Sequence, residues 1–272
     1  MARKQPDPEP RSHLFIPDTQ VRPGVPTEHL GWIGQYIADR KPDVVVHAGD
    51  HWDMPSLSTH AARGSRSLEG KRYVEDVESG NAALRLLREP ARRAKLRTEF
   101  HILTGNHEDR ITRAINDDPK YEGFVSLDDL DTDGWTRHGY LEPVWLDGVC
   151  YSHYFYQPMT GHPFAGTIDN RLKHLGHSFT MGHQQTLMYG VRFVAGRSQH
   201  GLVAGSAYLH DEGYKGPQGN AHWRGVVVKH QVESGSYNPM FVDLDYLCRK
   251  YEGMTLARYT KLRASELRRS AR

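Results

Sequence analysis

Val44-Val45-Val46-His47-Ala48-Gly49-Asp50-His51-Trp52-Asp53 is the stretch on which the fold turns. Three β-branched residues in a row follow Pro42-Asp43, and by length and type they predict a short buried strand. The run ends at Gly49-Asp50, where glycine lets the backbone turn tightly beside a ligand. Upstream, His13-Leu14-Phe15-Ile16 predicts a first strand that ends at Pro17-Asp18. Between the two, Thr27-Glu28 can open a helix whose apolar face is Leu30, Ile33 and Ile37, running to about Arg40. Downstream, a Gly- and Ser-rich loop (Ser56 to Ser67) precedes a helix with Val74, Val77, Leu84 and Leu87 as its apolar positions. Phe100-His101-Ile102-Leu103 then predicts a strand ending at Gly105-Asn106. Strand, helix, strand, helix, strand is the order of an α/β sheet with covering helices, and ligands of such sheets sit where strands hand over to loops.

The second half reads differently. Tyr140 to Trp145 and Val149 to Phe155 flank Asp147-Gly148, a hairpin turn signal. A short helix near Asp169 to Leu175 precedes the strand Ser178 to Met181, which ends at Gly182-His183. Further strands are expected at Val191 to Val194, Gly201 to Gly205, Val226 to Lys229 and Met240 to Leu244, with a Gly-, His- and Tyr-rich loop from Tyr208 to Trp223. The division expected is a loose arm over 1–12, one main domain over 13–248 and a basic helical tail over 249–272.

The 272 residues, 38% hydrophobic and 25% charged, suit one large globular core or two small domains. No apolar run approaches a membrane span, and the polar, Pro-rich start lacks the apolar core of a signal peptide. Two cysteines, Cys150 and Cys248, make a disulfide framework unexpected and fit a reducing cytoplasm, although a single bridge between them stays open. The net charge of +2 conceals a tail from Arg249 to Arg272 with eight basic residues against two acidic ones, and a run from Arg85 to Arg97 with six positive charges against Glu89. Either can be a solvated helix face or a grip on phosphate backbones.

Five polar clusters end these strands: Asp18-Thr19-Gln20, Gly49 to Asp53, Gly105-Asn106-His107-Glu108, His153, and Gly182-His183-Gln184-Gln185. Packing does not ask for Asp, Asn, His and Gln at successive strand ends. Carboxylate, amide oxygen and imidazole are metal donors, and there are enough for two ions sharing one carboxylate. Two ions about 3.5–4 Å apart clamp the attacking and leaving oxygens of a phosphoryl displacement.

In these motifs the chain resembles the calcineurin-like metallophosphoesterases, whose order is D-x-H, G-D-x-x-D, G-N-H-[DE], H and G-H-x-H. Here the order is D-T-Q, G-D-H-W-D, G-N-H-E, H and G-H-Q-Q, from Asp18 to Gln185. The resemblance implies an α/β/β/α sandwich, two central mixed sheets flanked by helices. It implies a first metal on Asp18, Gln20, Asp50 and Gln185, and a second on Asp50, Asn106, His153 and His183. A hydroxide between the ions would attack phosphorus, His107 would serve the leaving oxygen, and Asp53 would orient His107. Gln20 and Gln185 stand where the family has histidine, and both fall on the first metal. That site would be all oxygen, weaker than the second, with Mn the foremost cofactor and Mg, Ni, Zn or Fe as alternatives. A single-metal centre is the competing reading.

His51, Trp52 and Arg110 are candidate substrate contacts. His51 could equally support a ligand from behind, and Arg110 could hold phosphate or pair with Asp109 or Glu108. Trp52 and Tyr154-Phe155-Tyr156 could stack on a base or simply pack. A further metal on His200, His210 and His222 with Asp211 and Glu212 matches no ligand spacing. Met54-Pro55 after Asp53 departs from the Arg-Gly of protein phosphatases in the superfamily. The expected activity is therefore phosphodiester hydrolysis on DNA, RNA or a nucleotide. A phosphomonoesterase is the alternative, and a phosphate-binding module with degraded metal sites is the alternative of another class.

Overall fold

The computed structural model describes residues 9–59, 66–213 and 215–270. Most of the expected N-terminal arm (1–8), part of the loop after Asp53 (60–65), Tyr214 and the last two residues of the tail lie outside the described residues.

The elements run β1 (Arg11–Ile16), α1 (Glu28–Arg40), β2 (Val44–His47), α2 (Tyr73–Arg93), β3 (Glu99–Leu103), α3 (Arg110–Asp117), β4 (Thr136–His138), β5 (Val144–Leu146), β6 (Val149–Tyr151), α4 (Ile168–Leu175), β7 (Phe179–Met181), β8 (Leu187–Val194), β9 (Arg197–Ala204), α5 (Gly216–Asn220), β10 (Gly225–Glu233), β11 (Ser236–Asp243), α6 (Leu244–Glu252) and α7 (Leu256–Ser270). They build two mixed sheets. One has the order β11-β10-β1-β2-β3-β4, the other β5-β6-β7-β9-β8. β1 to β4 are mutually parallel, while β10 joins β1 antiparallel. In the second sheet β6, β7 and β9 are parallel and the outer pairs antiparallel.

The period-two alternation of the strands sorts the core into layers. Leu14, Ile16, Val45, Val226 and Val228 pack with α1, α2 and α6. Their neighbours Phe15, Val44, Val46 and Val227 pack instead with Val149, Tyr151, Leu202 and Ala204 of the other sheet. Cys150, Phe179, Met181 and Val203 face outward against Ile168 and Leu172 of α4. The order through the molecule is thus helices, sheet, sheet, helix. Asp147 and Gly148 both take positive φ (48° and 81°), the geometry a two-residue hairpin between β5 and β6 requires.

Two expectations are corrected. The boundary at 248/249 cuts α6, whose Leu247 and Cys248 are fully buried, so the tail begins inside the packed domain. Trp32 of α1 meets Tyr259 of α7 edge-on, and Arg263 pairs with Glu28 at 2.6 Å, so α7 is also docked. Val74 is exposed, because the buried face of α2 runs through Asp76, Val77, Gly80, Ala83, Leu84 and Leu87. Cys150 and Cys248 are free and sit in different core clusters. No helix among the described residues is long and apolar enough to cross a membrane.

Candidate metal centre

The loops after β1, β2, β3, β6 and β7 deliver Asp18, Asp50, Asn106, His153 and His183 to one edge of the two sheets. The close approach of these loops depends on glycine. A Cβ on Gly105 would stand 2.1 Å from Asp50 Oδ1, and one on Gly182 would stand 2.3 Å from Asp18 Oδ1. Among the candidate ligands, Gln20, Asp50, His183 and Gln185 all take positive φ, at 41°, 48°, 65° and 57°. Such strain in non-glycine residues gathers where a site dictates the backbone.

Ligand atoms of Asp50, His153 and His183 lie within 4.8 Å of one another. His153 Nε2 is 3.3 Å from Asp50 Oδ2 and 2.9 Å from Asn106 Oδ1. His183 Nδ1 is 2.8 Å from the same Asn106 oxygen. His153 Nδ1 donates to the Ala48 carbonyl at 2.8 Å, so the neutral ring turns an Nε2 lone pair toward two oxygen acceptors. Buried acceptors facing one another cost about 1–3 kcal/mol each unless something positive stands between them. A proton on Nε2 is one solution. Burial lowers the His153 pKa, but the Asp50 carboxylate outweighs it and lifts it to about 9. A cation is the other solution, and these Asp and His residues can bind one. Burial and then His153 push His183 down to about 4, which keeps its lone pair available. Two imidazoles, an amide oxygen and a carboxylate therefore fit a divalent metal ion here.

The other half of the cluster is different. Gln20 Oε1 is buried without a hydrogen-bond partner, as a ligand oxygen would be. Asp18 Oδ1 accepts from the His183 backbone N–H at 2.9 Å. Burial, reinforced by Asp50, raises the Asp18 pKa to about 6. Gln185, however, turns its Nε2 to Asp18 Oδ2 at 3.4 Å and its Oε1 to the Tyr208 hydroxyl at 2.8 Å and to Lys215 Nζ. Its neighbours dictate that orientation: a carboxylate needs a donor and an ammonium needs an acceptor. In this orientation Gln185 turns its amide nitrogen toward Asp18, where the expected ligand set needs its oxygen.

Asp53 Oδ1 accepts from His107 Nδ1 at 2.7 Å, the contact expected of them, and Asp50 Oδ1 accepts from the His107 backbone N–H at 2.9 Å. Burial alone would lower the His107 pKa, but Asp50 and Asp53 together raise it above the ordinary imidazole value. His107 lines two cavities. One, of about 160 Å³, also has Gln20, Asp50, Asn106, His183 and Lys215 on its wall. The other, of about 570 Å³, is bounded by Arg22, Asp53, Pro55, Ser58, Lys71, Arg110 and Glu212.

Arg110 does not pair with Asp109 or Glu108, and it lines the larger cavity beside His107. Its Nη1 donates to the Asp53 carbonyl at 2.6 Å, and its Nη2 lies 3.3 Å from His107 Nε2, so it braces the loop around His107. Asp109 pairs instead with Arg113. His51 points away from the centre, between Thr19 Oγ1 (2.7 Å) and the Gly80 carbonyl (2.9 Å). Trp52 is 2% exposed and holds Asn81 Oδ1 at 3.0 Å, so it is core and not a platform for a base. Tyr154 and Phe155 are buried too, and Tyr154 packs on the His183 ring. His200, His210 and His222 do not gather: they bond Tyr189, Glu212 and Ser206 respectively. In the basic run, Arg85 pairs with Asp131 while Arg92 and Arg93 pair with Glu89.

Three residues serve the centre in roles the sequence did not reveal. Glu108 accepts four backbone N–H groups, from Gly105, Asp50, His51 and Trp52 at 2.6–3.0 Å, and so ties the β3 loop to the β2 loop. An acidic residue closing G-N-H-E was the available signal. Arg22 bridges Asp53 (2.7 Å) and Glu212 (2.8 Å) from the β1 loop, two residues past Gln20, and Lys215 reaches Gln185 from a loop that carries no motif. No protein-family model and no curated protein matches the chain.

Proposed function

We propose that the protein is a divalent-metal-dependent phosphoesterase of the calcineurin-like type, acting on phosphodiesters of nucleic acid or nucleotides. The observation that carries this reading is the convergence of Asp50, Asn106, His153 and His183 beside a His107 oriented by Asp53. The helix–sheet–sheet–helix layering and the order of the five motifs support the same family.

Asp50, Asn106, His153 and His183 would hold the ion, with Mn foremost. A bound divalent ion would supply an activated water and neutralise charge on the phosphoryl group. The chain's own residues do the rest. Asp53 fixes His107 with Nδ1 inward, which leaves Nε2 facing the cavity. Arg110 Nη2 lies 3.3 Å from that nitrogen and can only donate, so His107 would give a proton to the leaving oxygen once it is protonated and Arg110 has shifted from it. Arg110 and Arg22 hold Asp53 and its loop in place from two sides. The cavity of about 570 Å³ next to His107 is of the size that takes a nucleoside-sized leaving group, which favours a diester over a small monoester.

The test is hydrolysis of bis-p-nitrophenyl phosphate and of p-nitrophenyl phosphate with Mn, Mg, Ni or Zn. Diester turnover with Mn, abolished in Asn106→Ala and His183→Ala, is the expected result. Release of phosphate from the monoester alone would select a phosphomonoesterase. No turnover with any ion would remove the enzymatic reading.

A further inference from the structure

The first half of the cluster contains two carboxylates, Asp18 and Asp50, and a buried amide oxygen, Gln20 Oε1, that has no partner. This half demands positive charge. A second divalent ion fits it poorly, since Gln185 turns nitrogen toward Asp18 and gives its oxygen to Lys215 and Tyr208. The cation already present is the Lys215 ammonium. Its Nζ also lies 3.0 Å from the Tyr208 hydroxyl, and the side chain shares the wall of the small cavity with Gln20, Asp50, Asn106 and His107.

We propose that Lys215 takes the place of the first metal: the centre binds a single divalent ion on Asp50, Asn106, His153 and His183, and the Lys215 ammonium holds a non-bridging oxygen of the substrate phosphoryl group. This rests on the phosphoesterase reading and deepens it. An ammonium has three donors and no geometric demand on its ligands, so it suits a site whose glutamines replaced imidazoles. Gln185 and Tyr208 then act as positioning residues, holding Nζ at the cavity. The pattern of departures agrees with this: both imidazoles missing relative to the resembled family belong to the half that Lys215 faces, and the half with His153 and His183 keeps all four donors.

The test is made on the full chain. Metal-free protein is titrated with Mn by calorimetry, and bound Mn is counted after dialysis. One ion per chain, with the electron paramagnetic resonance spectrum of an isolated Mn, is expected. Two ions per chain with a spin-coupled spectrum would overturn the inference while leaving the phosphoesterase reading standing. No bound ion would overturn both. Inorganic phosphate is then titrated into the Mn-loaded protein. Lys215→Met is expected to bind phosphate about tenfold or more weakly, the loss of one charge-assisted hydrogen bond, with its Mn stoichiometry unchanged. Lys215→Arg is expected to restore most of that affinity, which a merely structural role would not require. Equal phosphate affinity in Lys215→Met and the parent would sink the proposal.

Discussion

His107 Nδ1 lies 2.7 Å from one carboxylate, and its Nε2 lies 3.8 Å from another, Asp50. The ring cannot turn without losing Asp53, so under the proposed function Nε2 is the nitrogen that would serve a leaving group. His107→Asn keeps a polar side chain in the loop but removes the proton donor. We expect it to slow turnover by about 10²–10⁴-fold, the range of general acid catalysis, with bound metal unchanged because His107 is not among the converging ligands. An unaltered rate would take His107 out of the reaction. The same residue-scale logic explains Glu108: four backbone N–H groups match the lone pairs of one carboxylate, and no water is needed to complete the set.

At the scale of elements, α2 reaches the β2 loop only because Gly80 has no side chain. A Cβ there would stand 1.9 Å from Trp52 Cδ1, and Trp52 is pinned by Glu108 through its backbone and by Asn81 through its indole. Alanine gains about 1 kcal/mol of helix propensity, but overpacking costs about 1–3 kcal/mol and here has nowhere to relax, so Gly80→Ala is expected to destabilise. Gly31→Ala in α1 is the control, because its Cβ meets only Leu86 at an ordinary 3.6 Å. Urea midpoints that rank the two variants equally would contradict the argument. This packing also marks the limit of what was legible in the sequence. β1, β2 and β3 announce themselves through apolar runs, α1 through its Leu30, Ile33 and Ile37 spacing, and Asp50, Asn106 and His183 through the glycine before each, while His153 has no such mark. β4 does not, since Thr136-Arg137-His138 is a mostly exposed edge strand with no apolar alternation. Lys215, Arg22 and Glu212 were illegible for another reason: their roles arise from loops that meet only after both sheets have formed. For His51 and Trp52 the sequence left contact and packing both open, because proximity in the chain to Asp50 says nothing about which side of the loop a side chain takes.

For the whole molecule, the converging donors come from loops after strands of both sheets, so an ion held there cross-links the sandwich. Mn at about 100 times its dissociation constant should stabilise the fold by roughly 2.7 kcal/mol relative to chelator, which corresponds to a rise in Tm of about 5 °C for a chain of this size. His153→Ala should lose that increment, and an equal increment in the variant would place the ion elsewhere. In chelator, where the ion contributes nothing, acid sensitivity should come from histidines buried in neutral form. His29 is 1% exposed; its Nε2 donates to the Ala207 carbonyl at 2.9 Å, and its Nδ1 is buried without a partner. Burial pushes its pKa down to about 4 from an ordinary value near 6.5. Between those two values the unfolded chain binds a proton that the folded chain refuses, so stability is complete above about pH 6.5 and falls as the solution is acidified. This one residue should cost roughly 2 kcal/mol between pH 7 and pH 5. His29→Gln keeps an N–H for the Ala207 carbonyl and has no proton to gain. Its urea midpoint should therefore fall less than the parent's between those two pH values, and parallel curves would show that His29 is not the group being titrated.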